Sequence, residues 1–336
     1  MNVADCHNDL LLELAFREFQ LGEDNPFRTH WLPELDAGGV GLLVCAASAM
    51  GALVPDGALR DVLAQTVAFE HAVRDNPGRV LAVRSKDDLA RVAAGERLGL
   101  LLSMEGAEAL GRDPWLVDTF WDLGLRMLCL TWEYRNFFAD GTGEPEPGGG
   151  LSRLGRVLVK ELAGRGVIID LAHASERTFW DVLECAPEAH VVVSHAACRA
   201  LEDMPRNVSD EQLKALAERG GMFCLMGLGF AVGGDGSFAR VAEHLEHALE
   251  VMGAGHVGLG ADFFEQLGTL LPLPAPLDGL FHIEIDDVGG AGDLRGPADY
   301  PALLDALRER GWTDATIESV SHRALLDLLA RALPDA

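Results

Sequence analysis

Short apolar runs alternate with amphipathic stretches along almost the whole chain. The runs are NVADCHND, GVGLLVCAAS, LGLLLSMEGA, LRMLCLTW, GVIIDLAH, HVVVSHAA, GGMFCLMGL and HVGLGAD. Most are near-continuously apolar instead of alternating, the pattern of parallel strands buried on both faces. Several open on Gly or Gly-Gly, as where a helix C-cap meets a buried strand. Stretches such as DEQLKALAERG and ARVAEHLEHALEVMG read as helices between them. Ser209, with Gln212 three residues on, gives the first of these a capping-box start. Eight strand–helix units predict an α/β fold, a (β/α)8 TIM-like barrel, as one domain over residues 1–336. RVLAVRS, near residue 80, reads as an accessory strand between units. A doubly wound open sheet is the alternative, but its GxGxxG fingerprint is absent after the first run. The glycine-rich ADGTGEPEPGGG (139–150) matches no phosphate-loop signature and reads as a long, flexible surface loop.

Composition narrows the function classes. The net charge is −26, with only three lysines (Lys86, Lys160, Lys214) among 27 basic residues. Such an acidic surface disfavours nucleic acid and anionic membrane as partners. The six cysteines (Cys6, Cys45, Cys129, Cys185, Cys198, Cys224) form no CxxC pair and read as buried thiols in a reducing compartment. No apolar run reaches spanning length, the N-terminus has no basic-then-apolar leader, and RALPDA at the C-terminus is no lipid-anchor tail. The expectation is a soluble, cytoplasmic protein, and an acidic barrel of this size suits a homodimer.

The polar residues inside the apolar runs carry the candidate chemistry. A polar residue at the C-terminal end of a barrel strand points into the active-site mouth. The first run ends with His7 and Asp9, two apart and so on one face of a strand. Glu105 ends the third run, His173 the fifth, His195 the sixth and Asp262 the eighth. Singly, each also reads as a satisfied core group, a helix cap or a solvated strand end. Together, three histidines and three carboxylates have the composition of a two-metal hydrolytic site. A carboxylated lysine would be an alternative bridge between ions. Lys86 and Lys214 fall in helical stretches and Lys160 in the helix before the fifth strand, which leaves Glu105. His244 and His247 read as polar groups on a solvated helix face.

DCHNDLL, SMEGAEAL, LTWEYRN, GVIIDLAHAS, VVVSHAACRAL, RNVSDEQL and HVGLGADF occur in an order and spacing that resemble the membrane (renal) dipeptidase family of the amidohydrolase superfamily. The resemblance runs from about residue 3 into the final helical region. It implies a TIM-like barrel, two Zn2+ ions (other divalent metals suit the same donors), and hydrolysis of dipeptides by a metal-bridging hydroxide, with L,D- as well as L,L-dipeptides open as substrates. By motif, His7 and Asp9 would bind the first zinc and His173 and His195 the second, with Glu105 bridging. Arg206 would hold the dipeptide's C-terminal carboxylate, and Asp262 would act as acid and base. The family's LTH is LTW here, so Trp132 stands at a substrate-contacting position with one indole N–H in place of an imidazole. The family's DFDG is DFFE, which puts Phe264 and Glu265 in the pocket wall. These departures keep two alternatives open: an N-acyl amino acid deacylase or amidase on the same site, and a silent metal-binding relative.

Overall fold

The computed structural model describes residues 3–49, 54–144, 148–263 and 292–335. Among them are nine strands: β1 (Val3–Asn8), β2 (Val40–Ser48), β3 (Val80–Ala82), β4 (Leu98–Glu105), β5 (Leu125–Cys129), β6 (Ile168–Asp170), β7 (Val191–Ala196), β8 (Met222–Leu225) and β9 (Val257–Leu259). Every pairing between them is parallel. Eight strands close a ring in the order β1-β2-β4-β5-β6-β7-β8-β9, and Asp5 opposite Leu259 joins the ends. β3 stays outside the ring. It pairs with the start of β4 (Val80 opposite Leu98), along the edge that β5 occupies further on (Glu105 opposite Cys129). The accessory strand and the (β/α)8 barrel expected from the sequence are both present.

The core has an inner and an outer layer. Ala4, Cys6, Leu42, Val44, Leu101, Met127, Ile168, Val192, Met222 and Cys224 cluster with Leu325, Leu328 and Leu329 of the helix Ala324–Ala332. Within each strand these residues are two apart, so they share the inner face. Leu43, Cys45, Leu100, Leu102, Val191 and Val193 occupy the other face and join Phe69, Leu158, Leu213 and Leu245 of the surrounding helices. Burial on both faces is what made the runs continuously apolar. Counting on by twos, Glu105, Asp170 and Ser194 extend the inner faces toward the C-terminal mouth.

By the same count His7 and His195 would face outward. Register shifts between Asp5 and Asn8 in β1, and between Val193 and Ala196 in β7, re-aim the strand ends. Asp9 lies beyond β1, immediately before the helix Leu10–Phe19. His7 and Asp9 are therefore not two positions on one strand face, as the spacing alone predicts; they meet across a strand–helix turn.

Other expectations fare differently. Ser209 and Gln212 form the capping box that opens the helix Asp210–Glu218. All six cysteines are free, five of them buried and Cys185 partly so. His244 corrects the solvated-face reading: it is fully buried, Nδ1 accepts from the Cys198 N–H at 3.0 Å, and Nε2 donates to the Val232 carbonyl at 2.9 Å. His247 pairs with Asp210 at 2.7 Å. The glycine-rich loop is tethered where it is described. The buried Asp140 carboxylate accepts the Gly149 and Gly150 N–H groups and an Arg135 ion pair. Phe264 and Glu265 lie outside the described residues. Among the described residues no helix is long and apolar enough to cross a membrane.

Candidate metal centre

Glu105 ends β4 at the centre of the mouth. Its Oε1 lies 3.1 Å from His173 Nε2, 3.3 Å from His195 Nε2 and 3.7 Å from His7 Nε2. His7 Nε2 is also 3.5 Å from Asp9 Oδ1 and 3.6 Å from Asp262 Oδ1. The His7 and His195 rings stack with centroids 3.7 Å apart. The ends of five strands, β1, β4, β6, β7 and β9, and the turn after β1 thus bring all six sequence-predicted imidazoles and carboxylates together. Candidate ligand atoms fall into two groups, His7–Glu105–His195 and His7–Asp9–Asp262, each within 4.8 Å. His7 is common to both.

The donor set fits divalent metal. His7 Nε2 and Asp9 Oδ1 are buried and have no hydrogen-bond partner. Such orphaned polar atoms are costly unless something else binds them. Imidazole nitrogens and carboxylate oxygens converging on one point are the ligands of zinc-like ions.

Backbone strain marks the same residues. His173 (φ 59°) and Asp262 (φ 58°) sit in the left-handed region, which non-glycine residues seldom enter. β6 ends at Asp170 and β9 at Leu259, so both side chains are presented by the short segments just beyond a strand. Strain of this kind costs about 1–3 kcal/mol per residue and persists where the surroundings demand it.

Protonation in the cluster is collective. Burial alone would push His7 down, but Glu105, Asp9 and Asp262 outweigh it and hold the imidazole at about 10. Burial pushes Asp9 up to about 7, with Glu105 adding to the rise. Burial likewise raises Asp262. Glu105 resists its own burial because His7, His173 and His195 surround it, and it stays well below the usual carboxylate range. Burial, with His7 and Arg206 nearby, drives His195 well below an ordinary histidine. Bound cations would take the place of the shared protons.

A layer behind the cluster was not singled out from the sequence. Glu133 Oε2 is 3.4 Å from His173 Nδ1, while Thr142 Oγ1 donates to Glu133 Oε1 at 3.2 Å. Ser194 Oγ is 2.7 Å from His195 Nδ1 and hydrogen-bonds Asp170 on its other side. Asp170 carried a signal, an acid inside the apolar run GVIIDLAH; Glu133, in the polar segment EYRN, carried none. Arg206 is buried and donates from Nη2 to the His195 carbonyl at 2.8 Å. Trp132 is half-buried, its ring 6.3 Å from that of His173.

Known proteins share this architecture. A metallo peptidase from Rhodobacter sphaeroides, solved with a phosphinate mimic of the dipeptide L-Ala-D-Ala, superposes with a TM-score of 0.83 at 25% identity over 99% of both chains. A second solved structure, the dipeptidase AC of family M19, gives 0.82 at 27% identity, again over 99% of both. Dipeptidase verJ of Clonostachys rogersoniana is 28% identical over 264 residues, which is 78% of this chain and 62% of that relative. The chain thus spans about three fifths of the length of that curated relative. The family model for membrane dipeptidases matches residues 1–271. With that match on a barrel that gathers the family's motifs at one mouth, the chain belongs to the membrane dipeptidase family, peptidase family M19, a family of peptide-bond hydrolases.

Proposed function

We propose that this chain is a zinc-dependent dipeptidase that cleaves L,L- and L,D-dipeptides. The observation that carries the reading is the convergence of three imidazoles on Glu105 Oε1, with Asp9 and Asp262 beside His7. His7 and Asp9 would hold one ion, His173 and His195 a second, with Glu105 between them. Bound there, two ions would supply Lewis-acid chemistry, polarising the scissile carbonyl and making a nearby water more acidic.

The protein's own groups do the rest. Asp262 Oδ1 receives the water proton and passes it to the departing amine nitrogen. Burial raises this carboxyl, and a carrier works best when its pKa approaches the working pH. Arg206 presents a planar fork of donors suited to a terminal carboxylate. Trp132, beside His173, offers one indole N–H to the substrate. The phosphinate mimic of L-Ala-D-Ala in the Rhodobacter neighbour supports a D-residue at the second position. Six free thiols support a reducing, cytoplasmic setting.

The test is amine release from L,L-dipeptides, L,D-dipeptides and N-acetyl amino acids by zinc-reconstituted protein. Cleavage of both dipeptide series with N-acetyl substrates untouched is the expected result. Cleavage confined to N-acetyl substrates would reassign the chain as a deacylase. Silence on the whole panel with two zinc ions bound would overturn both readings.

A further inference from the structure

Asp170, Ser194 and His195 form a line of hydrogen bonds that runs from the metal cluster into the barrel interior. All three are buried, Asp170 at the end of β6 and Ser194 within β7. Asp170 Oδ1 accepts the backbone N–H of Ala172 at 2.9 Å and of Ser194 at 3.0 Å. Asp170 Oδ2 takes the Ser194 hydroxyl, and Ser194 Oγ stands 2.7 Å from His195 Nδ1.

Counting protons fixes the direction of each bond. A carboxylate accepts and cannot donate, so the single Ser194 hydroxyl proton goes to Asp170. Ser194 Oγ then has only lone pairs for His195, and His195 Nδ1 must carry the proton. A neutral imidazole protonated at Nδ1 is bare at Nε2. That atom faces Glu105 Oε1 at 3.3 Å and His173 Nε2 at 2.9 Å. Two N–H groups cannot face each other at that separation, so a bare His195 Nε2 also satisfies the His173 side.

We infer that Asp170, acting through Ser194, is a positioning residue that locks His195 as the Nδ1–H tautomer, with Nε2 free as an electron-pair donor to metal. The metal half of this inference rests on the proposed ligand role of His195. His173 has a looser counterpart in Glu133, at 3.4 Å from its Nδ1. Partners of this kind set ring orientation and ligand strength in metal sites.

Asp170→Asn tests the relay without changing side-chain size. The two backbone N–H groups hold the amide oxygen in the Oδ1 position, so the amide nitrogen meets Ser194 Oγ as a donor. Ser194 must then turn its own proton toward His195 Nδ1, and the imidazole proton moves to Nε2. Long-range 1H–15N spectra of protein stripped of metal should show His195 switching from Nδ1–H to Nε2–H, with His173, whose Nε2 faces that atom at 2.9 Å, giving up any proton on its own Nε2. Zinc affinity, measured by competition with a chelating dye, should fall about 10–100-fold. Ser194→Ala removes one buried oxygen and should give mixed His195 tautomers with a similar loss. An unchanged His195 tautomer in both variants overturns the inference. A switched tautomer with unchanged zinc affinity supports the relay and overturns His195 as a ligand. Both readouts are independent of peptide cleavage, so failure of the dipeptidase reading would be seen separately.

Discussion

Asp262 combines what a proton carrier needs: partial burial, a backbone held at φ 58°, and an Oδ1 that lies 3.6 Å from His7 Nε2. Asparagine tolerates the left-handed region and matches aspartate in size, so Asp262→Asn should leave the local backbone intact. It removes the proton-accepting carboxylate and its charge while keeping the size of the side chain. Zinc content and Tm are expected to match the wild type while amine release drops about 10²–10⁴-fold. Wild-type turnover in this variant would end the assignment. The same physics made the cluster readable in the sequence. An acid or imidazole at the end of an apolar run is expensive without a partner, which singled out His7, Glu105, His173 and His195. Glu133 sits among polar neighbours, where a carboxylate needs no special reason.

At the scale of elements, close approach between strands sets the site. The chain leaving β9 passes so near β7 that a Cβ on Gly260 would overlap the Ser194 carbonyl oxygen, with Cys224 Cβ only 3.2 Å away. Backbone cannot give way as a flexible side chain can. Gly260→Ala should therefore wedge β9 from β7 and displace His195 on one side and Asp262 on the other. Overpacking of this kind costs about 1–3 kcal/mol, readable in urea unfolding. A displacement of about 1 Å at the reacting groups costs about 10²-fold in rate. Gly255→Ala is the control, since nothing lies within 4 Å of its added Cβ. If both variants unfold and turn over alike, the wedge does not exist. The strands themselves were legible because local runs of apolar residues specify them. The re-aiming of His7 and His195 was not: strict alternation from Cys6 and Ser194 points both rings outward. Register shifts arise from pairing with partner strands that are distant in sequence.

For the whole molecule, the buried groups outside the site decide how stability responds to pH. His244, on the helix Phe238–Met252, ties the Cys198 N–H to the Val232 carbonyl as a neutral ring. Its place in the sequence suggested a solvated face, because only the packed structure shows which side of that helix the barrel covers. Burial pushes its pKa from 6.5 down to about 4. As pH falls below 6.5 the unfolded chain takes up a proton that the folded ring refuses until about 4. Stability contributed at neutral pH is therefore lost across that window, by about 2 kcal/mol between about pH 7.5 and about pH 5. Asp5 acts in the opposite sense. Burial raises it to about 6, so the folded state binds its proton first as pH falls. The wild-type profile alone mixes these contributions, together with self-repulsion from a net charge of −26. His244→Asn isolates one of them, since the amide keeps a donor and an acceptor but does not titrate. The gap in unfolding free energy between wild type and variant should shrink by about 2 kcal/mol from about pH 7.5 to about pH 5. Parallel profiles would mean that the folded ring takes up its proton over the same pH range as the unfolded chain, and the two hydrogen bonds that define its neutral form would have to be redrawn.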